Sequence, residues 1–430
     1  MLNTNDMENL HGKRLLLLGS NLWKDSIKQF AEENGVYLIF AGLYPGALDE
    51  IADEHYRIDT TDSSVMIPFI KEHDIDGVFM GGSEFIISKT CDYINQMGYP
   101  CYCTKNQWDL MQNKQEFKET CKKYNVPITP EFNLDDRLQN KDFPVIVKPV
   151  DSCASRGITV CRTQEELDIA KEKALAESSS KRILIEKFVD NGGITNVVKY
   201  VAIDGNYYIE AMGDRYVMNN GLITAISFFP SNYLSVWIQK YNQCVCDMLR
   251  GIGFKNGVVA FQTIPDGDNM YVYECCLRVA GGMTFKMTDA TCSHNSLKML
   301  LYHSLTGRMC EIDEIKKIDP CFNGMFGSSM AIPLREGTIA SISGEEQILR
   351  MNSVVNFIHY YKIGNSITKK HLNTADQFYA RIMVIGQNKK DICAAMNQIR
   401  NTLVVKDENN QDMIIWDSFD RIFGDYLKEA

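Results

Sequence analysis

The apolar positions of this chain fall into two rhythms. In the first part they come as short unbroken runs: KRLLLL at 13–18, VYLIFAG at 36–42 and GVFMGG at 77–82, with a weaker run, HYRID, at 55–59. Helically spaced segments lie between them, such as the one from about Lys24 to Asn34. Alternation of this kind predicts a parallel sheet with right-handed crossovers, its strands buried on both faces. We read residues 1–110 as an open α/β domain. From about Gln107 to Tyr124 the spacing predicts one long helix, stopped where NVPITPEF brings in two prolines. A strand in FPVIVKPV, a helix on EELDIAKEKALAE and a strand in SSSKRILIEKFVD follow. The rhythm then changes to period two. NVVKYVAIDGNYYIEAMGD around an Asp-Gly turn, and VVAFQTIPDGDNMYVYECCLR around Gly267, predict antiparallel hairpins. Past Pro320, short β runs (AIPLREGTIASISG, FIHYYKIGN, YARIMVIGQ), a helix over KKDICAAMNQIRNTL and a last strand predict a smaller β-rich domain.

Composition narrows the class. At 430 residues the chain should divide into two to four domains, and 45% hydrophobic with 23% charged residues is ordinary globular usage. The net charge of −10 argues against a broad nucleic-acid face. No apolar run reaches the roughly 18 residues that span a bilayer. The N-terminus is polar and acidic, and the leucines at 15–18 are too few for a secretory core, so the expected location is cytoplasmic. Fourteen cysteines lie mostly inside apolar runs without metal-ligand or redox spacing, and the expectation is buried, reduced thiols.

One stretch stands out. FPVIVKPVDSCASRGITVCRT, residues 143–163, drives a buried strand into Lys148 and then into a loop of small residues that closes on Gly157. Small residues let a backbone approach a ligand, successive N–H groups can face an anion, and a lysine at the mouth adds a compact positive charge. A plain hairpin whose terminal lysine sits in water is the competing reading, and the chain has no G-x-x-x-x-G-K-[ST] loop.

The surroundings favour the anion site. Lys114 comes 34 residues earlier, ILIEKFVD about 35 residues later, and YVYECCLRVAGG near residue 275. In this order and at these separations they resemble the ATP-grasp family, in which two β-containing subdomains close on ATP. The resemblance implies an architecture of both α/β and α+β class: an N-terminal open parallel α/β domain (1–110), a two-subdomain grasp core (111–318) with a mobile lid at roughly 145–190, and a small β-rich C-terminal domain (319–430) like that of biotin carboxylase. By the same resemblance, Lys114 and Lys148 would contact the ATP phosphates, and residues 152–157, with Ser152, Ser155 and Gly157 among them, would cover them. Backbone groups of Lys187 and Val189 would meet the adenine edge and Glu186 its amino group, with Phe188 in the same strand end. Glu274 would hold Mg2+ (or Mn2+), with the Gln262 carbonyl as a second ligand. Arg278 would meet the transferred phosphoryl group at the reacting carboxylate, its guanidinium fork matching a pair of oxygens.

Among the departures from the family pattern, which include Cys153-Ala154 in the loop and the lack of an acidic residue in NGGITNVV, two fall at the metal site. Gln262 stands where a glutamate is usual and Cys276 where an asparagine is usual, and neither change suits a hard cation. The implied activity is that of an ATP-dependent carboxylate–amine ligase working through an acyl phosphate, similar to amino-acid ligases and carbamoyl-phosphate-synthase-like enzymes. A biotin-carboxylase-type enzyme and a catalytically weakened nucleotide-binding protein are the alternatives, and a nicotinamide enzyme, suggested only by LLLLGSN, ranks last. The implied partners are a small-molecule carboxylate and an amine, with no nucleic acid or membrane and a homodimer as the default assembly. Substrate choice is expected in the segment 215–235.

Overall fold

The structure is a computed structural model and describes residues 9–19, 23–151, 157–218, 224–279, 281–417 and 419–428. The N-terminal part has the expected parallel sheet. Strands β1 (Arg14–Leu18), β2 (Tyr37–Ala41), β3 (Glu54–Tyr56) and β4 (Gly77–Phe79) lie in the order β3-β2-β1-β4, and each neighbouring pair is parallel. The leucines of β1 are buried because helices cover both faces, which is why this strand reads as an unbroken apolar run. Helix α1 (Lys24–Asn34) connects β1 to β2 and α2 (Ser63–Glu72) connects β3 to β4, while α3 (Glu84–Gln96) follows the last strand of this sheet.

The single helix expected from Gln107 to Tyr124 is two: α4 (Lys105–Gln112) and α5 (Lys114–Lys123). Asn113 makes the break. Its backbone is extended (φ −74°, ψ 111°), and its side-chain oxygen accepts from the N–H groups of Gln115 and Glu116. Asparagine prefers capping to continuing a helix, and here that preference starts a new helix at Lys114.

Next comes a small body with its own core. Strands β5 (Glu131–Phe132), β6 (Val145–Pro149), β7 (Thr159–Cys161) and β8 (Ile183–Lys187) form an antiparallel sheet in the order β5-β8-β6-β7. Helix α6 (Gln164–Glu177) packs on it, and Val145, Val147, Leu167, Ala170, Ala174 and Ile185 fill the space between.

The rest is dominated by one eight-stranded sheet. Its hairpins β9 (Ile194–Ile203) with β10 (Asn206–Val217), and β12 (Gly257–Asp266) with β13 (Asn269–Cys276), turn where the sequence places them. Asp204 (φ 50°) and Gly205 (φ 78°) supply the two positive φ angles that a tight hairpin of this kind needs. Within the segment 215–235, β10 runs to Val217 and β11 spans Thr224–Phe229.

The C-terminal strands do not all form a sheet of their own. β14 (Phe326–Pro333) pairs with β11, and β16 (Val354–His359) and β18 (Phe378–Gly386) extend the sheet, giving the order β13-β12-β9-β10-β11-β14-β18-β16. Only β15 (Gly337–Ser343), β17 (Ser366–Ile367) and β19 (Val404–Asp407) make a separate small sheet. A terminal helix, Phe419–Lys428, follows that the hydrophobic pattern did not suggest; its Tyr426 stacks on Phe228 of β11 at 3.6 Å between ring centres. One apolar cluster therefore joins Tyr216, Ile226 and Phe228 to Ile332, Ile382 and Ile422.

This continuity has a direct consequence. A chain ended at residue 318 loses the partner of β11 and bares both an edge and an apolar face. Such a fragment is expected to aggregate and to lack a cooperative melt. A soluble monomer melting within a few degrees of the full chain, by size exclusion and calorimetry, would show that the grasp core stands without the C-terminal strands.

Candidate functional site

Residues from three of the four stretches singled out line one cavity. A cavity of about 530 Å³ opens between the start of α5, the end of β6 and β13, lined by Asn113, Lys114, Asp151, Tyr273, Glu274 and Glu84 among others. Lys114 is the first residue of α5, so the positive end of that helix faces the same space, although Asn113 already accepts from the N–H groups of Gln115 and Glu116. Ser152 and Ser155 lie outside the described residues. The described end of their segment is held firmly: Asp151 accepts from the hydroxyls of Ser178 (2.8 Å) and Ser179 (2.6 Å) and from the N–H of Ser180 (2.7 Å). Burial alone would raise the Asp151 pKa, but these donors hold it well below the usual carboxylate range. Gly157 sits at φ 72°, and a β-carbon there would meet Pro149 and Glu177 at under 3 Å, so no larger residue fits.

Lys148 is turned inward. Its Nζ lies 2.6 Å from Glu186 Oε2, while Lys118 Nζ lies 2.5 Å from Glu186 Oε1. The side chains of Glu186 and Lys118 are only 1% and 3% exposed, so this is a buried ion triad and not a surface pair. It continues outward through Glu131, which meets Lys118 at 3.1 Å and Lys122 at 2.5 Å. Burial would push the Glu186 carboxyl up, yet Lys148 and Lys118 outweigh it and hold the pKa below its ordinary 4.5. Both carboxylate oxygens of Glu186 are thus engaged by lysines, where the sequence reading sends them toward a base. Lys118 escaped that reading, although its signal was present: it lies one turn after Lys114 on the same helix.

Lys187 points elsewhere. Its Nζ pairs with Asp266 at 2.7 Å, tying the small sheet to the β12–β13 hairpin, and its N–H donates to Pro130. Val189 is buried, while Phe188 lines a shallow groove on the outside of the small sheet with Val160 and Ile169.

At the far end of the cavity, Arg278 is held by Glu84 from the start of α3: Nη2 and Nε lie 2.6 and 3.2 Å from Glu84 Oε1. Sequence reasoning missed Glu84, whose only signal is its position directly after the cap residue Ser83. Behind Arg278 lies a small internal space shared with Lys199, Glu210 and Thr284. Lys199 donates to Thr284 Oγ1, and burial pushes its pKa down to about 8.

Glu274 is exposed in the cavity and accepts from Gln262 Nε2 at 2.8 Å. The expected role of Gln262 as a carbonyl ligand meets an obstacle. Its Oε1 accepts from Arg215 Nη1 (2.5 Å) and from the Tyr273 hydroxyl (2.9 Å). Burial raises the pKa of Cys276, which therefore stays a neutral thiol and a poor partner for a hard cation. Among the described residues no group of three or more His, Cys, Asp or Glu side chains is arranged to hold a metal. The thirteen described cysteines are free, and no described helix is long and apolar enough to cross a membrane.

Comparison with known proteins bears on the fold. A family model described as D-ala D-ala ligase C-terminus matches residues 113–221. The formate-dependent phosphoribosylglycinamide formyltransferase of Prochlorococcus marinus (strain MIT 9313) is 26% identical over 187 residues, which cover 41% of this chain and 48% of that protein. The chain spans about half the length of the curated relatives it matches. Among solved structures, the L-amino acid ligase from Bacillus licheniformis superposes with a TM-score of 0.75 at 17% identity, covering 93% of this chain and 99% of that one. The biotin carboxylase domain of Hydrogenobacter thermophilus 2-oxoglutarate carboxylase, a dimer in complex with MgADP, ADP and bicarbonate, gives 0.72 at 18% identity, covering 94% and 91%.

The buried triad makes a prediction. Glu186→Gln leaves Lys118 and Lys148 without their anion and should destabilise the fold by about 3–5 kcal/mol in urea titration at pH 7. Because the folded carboxyl lies below 4.5, its contribution is complete above that value and disappears as the pH falls through the folded value. The stability gap between wild type and mutant should therefore close on acidification. A gap under about 1 kcal/mol at pH 7, or one that widens in acid, would show that the triad does not brace the site.

Proposed function

We propose that this chain, built on the ATP-grasp fold, is an ATP-dependent carboxylate–amine ligase that works through an acyl phosphate. The observation that carries this reading is the cavity lined by Lys114, Asp151, Tyr273 and Glu274 from three distant segments, with Arg278 bonded to Glu84 on its wall. Its volume of about 530 Å³ suits a nucleotide-sized ligand.

Lys114 and the start of α5 would take the phosphates from one side, and Lys148 from the other. Glu186 serves as a positioning residue in this scheme, fixing Lys148 at the cleft and leaving the adenine to the backbone. Since the Lys187 N–H is committed to Pro130, its carbonyl and the N–H of Val189 would meet the base edge. Residues 152–157, including Ser152, Ser155 and Gly157, would cover the phosphates and exclude water, which an acyl phosphate requires.

A carboxylate oxygen of the first substrate would attack the γ-phosphorus, forming a P–O bond as ADP leaves. The amine nitrogen would then attack the acyl carbon, expelling phosphate and losing a proton. Arg278, held at Nε and Nη2 by Glu84, would steady the oxygens of the phosphorylated carboxylate with its remaining N–H. Glu274 suits Mg2+, or Mn2+, which binds through one or two carboxylates with phosphate oxygens and water. Such an ion, when bound, would neutralise charge that develops on the phosphates.

The three segments 1–110, 111–318 and 319–430, a homodimer and a cytoplasmic setting complete the proposal. A bicarbonate-dependent carboxylase is the second reading, favoured by the biotin carboxylase likeness over 94% of the chain.

The test is phosphate release from Mg-ATP across a panel of amino acids and other amines and carboxylates, with bicarbonate as a separate arm. Amine-dependent release supports the ligase, and release with bicarbonate alone favours the carboxylase. Lys148→Ala should weaken ATP binding or turnover at least about tenfold, or 1.4 kcal/mol, beyond its effect on melting. If millimolar Mg-ATP produces no thermal shift in the wild type, the site is not a nucleotide site.

A further inference from the structure

Arg215 of β10 and Gln262 of β12 flank β9, paired respectively with its Thr195 and Val197, so the arginine reaches across one strand to the glutamine. The guanidinium is fixed at two points: Nη1 donates to Gln262 Oε1 at 2.5 Å and Nη2 to Thr224 Oγ1 at 2.8 Å. The Tyr273 hydroxyl donates to the same Gln262 oxygen, and the Gln262 amide donates to Glu274. Donors on one side and a carboxylate on the other leave the amide a single orientation. Its carbonyl has spent both lone pairs, and one of its partners is a cation. A divalent ion drawn to that oxygen would displace an arginine hydrogen bond and sit beside a like charge, so Gln262 does not suit a metal.

What occupies this corner is a positive charge of the protein's own. Lys148 lies nearby, with its Nζ 5.8 Å from the centre of the Tyr273 ring whose hydroxyl shares the Gln262 oxygen. Arg215 and Lys148 therefore both lie close to one tyrosine that lines the cavity. Guanidinium is weakly hydrated, permanently charged and well shaped for phosphate oxygens.

We propose that Arg215 supplies the charge a second divalent ion would bring, so that a nucleoside triphosphate is held with at most one divalent ion, on Glu274, and still binds when none is present. The inference rests on the nucleotide-site reading above, and it makes Arg215 a residue for polyphosphate recognition that follows from replacing glutamate with glutamine at 262.

ATP binding by isothermal titration calorimetry decides it, with saturating Mg2+ and again in EDTA. Wild type should lose less than about tenfold in affinity on removal of Mg2+. Arg215→Met should lose about thirtyfold or more in EDTA, but under about fivefold with Mg2+, and Arg215→Lys should fall between. The double change Arg215→Met with Gln262→Glu should make binding strictly dependent on Mg2+. Loss of wild-type binding in EDTA by a hundredfold or more would overturn the proposal, and this arm needs no variant to fold. Equal weakening of Arg215→Met with and without Mg2+, in a protein of normal melting temperature, would overturn it too, reducing Arg215 to a packing residue. Wild type that fails to bind ATP even with Mg2+ would remove the nucleotide reading and this inference together, an outcome distinct from Mg2+-dependent binding, which removes the inference alone.

Discussion

Three elements distant in sequence meet because one carboxylate cannot be buried alone. Glu186 sits at the end of β8 with almost no contact with water, and Lys118 from α5 and Lys148 from β6 make that tolerable. The arrangement places a lysine at the mouth of the cleft without letting it swing into solvent. It also fixes the start of α5, and so Lys114, relative to the small sheet. A buried ion cluster is weak as a source of net stability, since desolvation offsets most of the attraction. Its use here is directional: one lysine of the cluster faces the core and the other the cavity edge.

Much of this was legible along the chain because it depends on local patterns. Unbroken apolar runs marked the parallel strands, and period-two alternation with Asp204-Gly205 marked a hairpin whose φ angles demand those residues. The strand that carries Lys148 is present at 145–149, and Gly157, where the described residues resume, sits at a positive φ. What escaped was set by partners distant in sequence. Nothing near Glu186 announces that Lys118 and Lys148 will take both of its oxygens, and Glu84 meets Arg278 across 194 residues. Asn113 was misread for a different reason: the helical spacing continues through it, and only the competition of its side chain for backbone N–H groups breaks the helix. Likewise, β14, β16 and β18 were recognised as strands, but strand pattern does not say which sheet they will join.

The charges of the cleft are mixed. The chain carries a net charge of −10, and the cavity itself is lined by Glu84, Asp109, Glu116, Asp151 and Glu274 beside Lys114. A polyanion placed there gains from every cation that is not already cancelled and from every carboxylate that is absent. Neutralisation at Gln262 fits that balance, because a glutamate there would cancel Arg215 before any ligand arrived.

The pairing of β11 with β14 also sets an order of events during synthesis. Phe229, the last residue of β11, and Phe326, the first of β14, lie at the same end of that antiparallel seam and are separated by 96 intervening residues. At roughly 5–20 residues per second a ribosome takes about 5–20 s to cover that distance. Throughout that interval β9, β10 and β11 can already be paired while the outer edge of β11 has no neighbour. The ribosome's pace over residues 230–325 thus fixes how long a nascent chain offers a bare strand to its surroundings, and how long a chaperone would need to shield it.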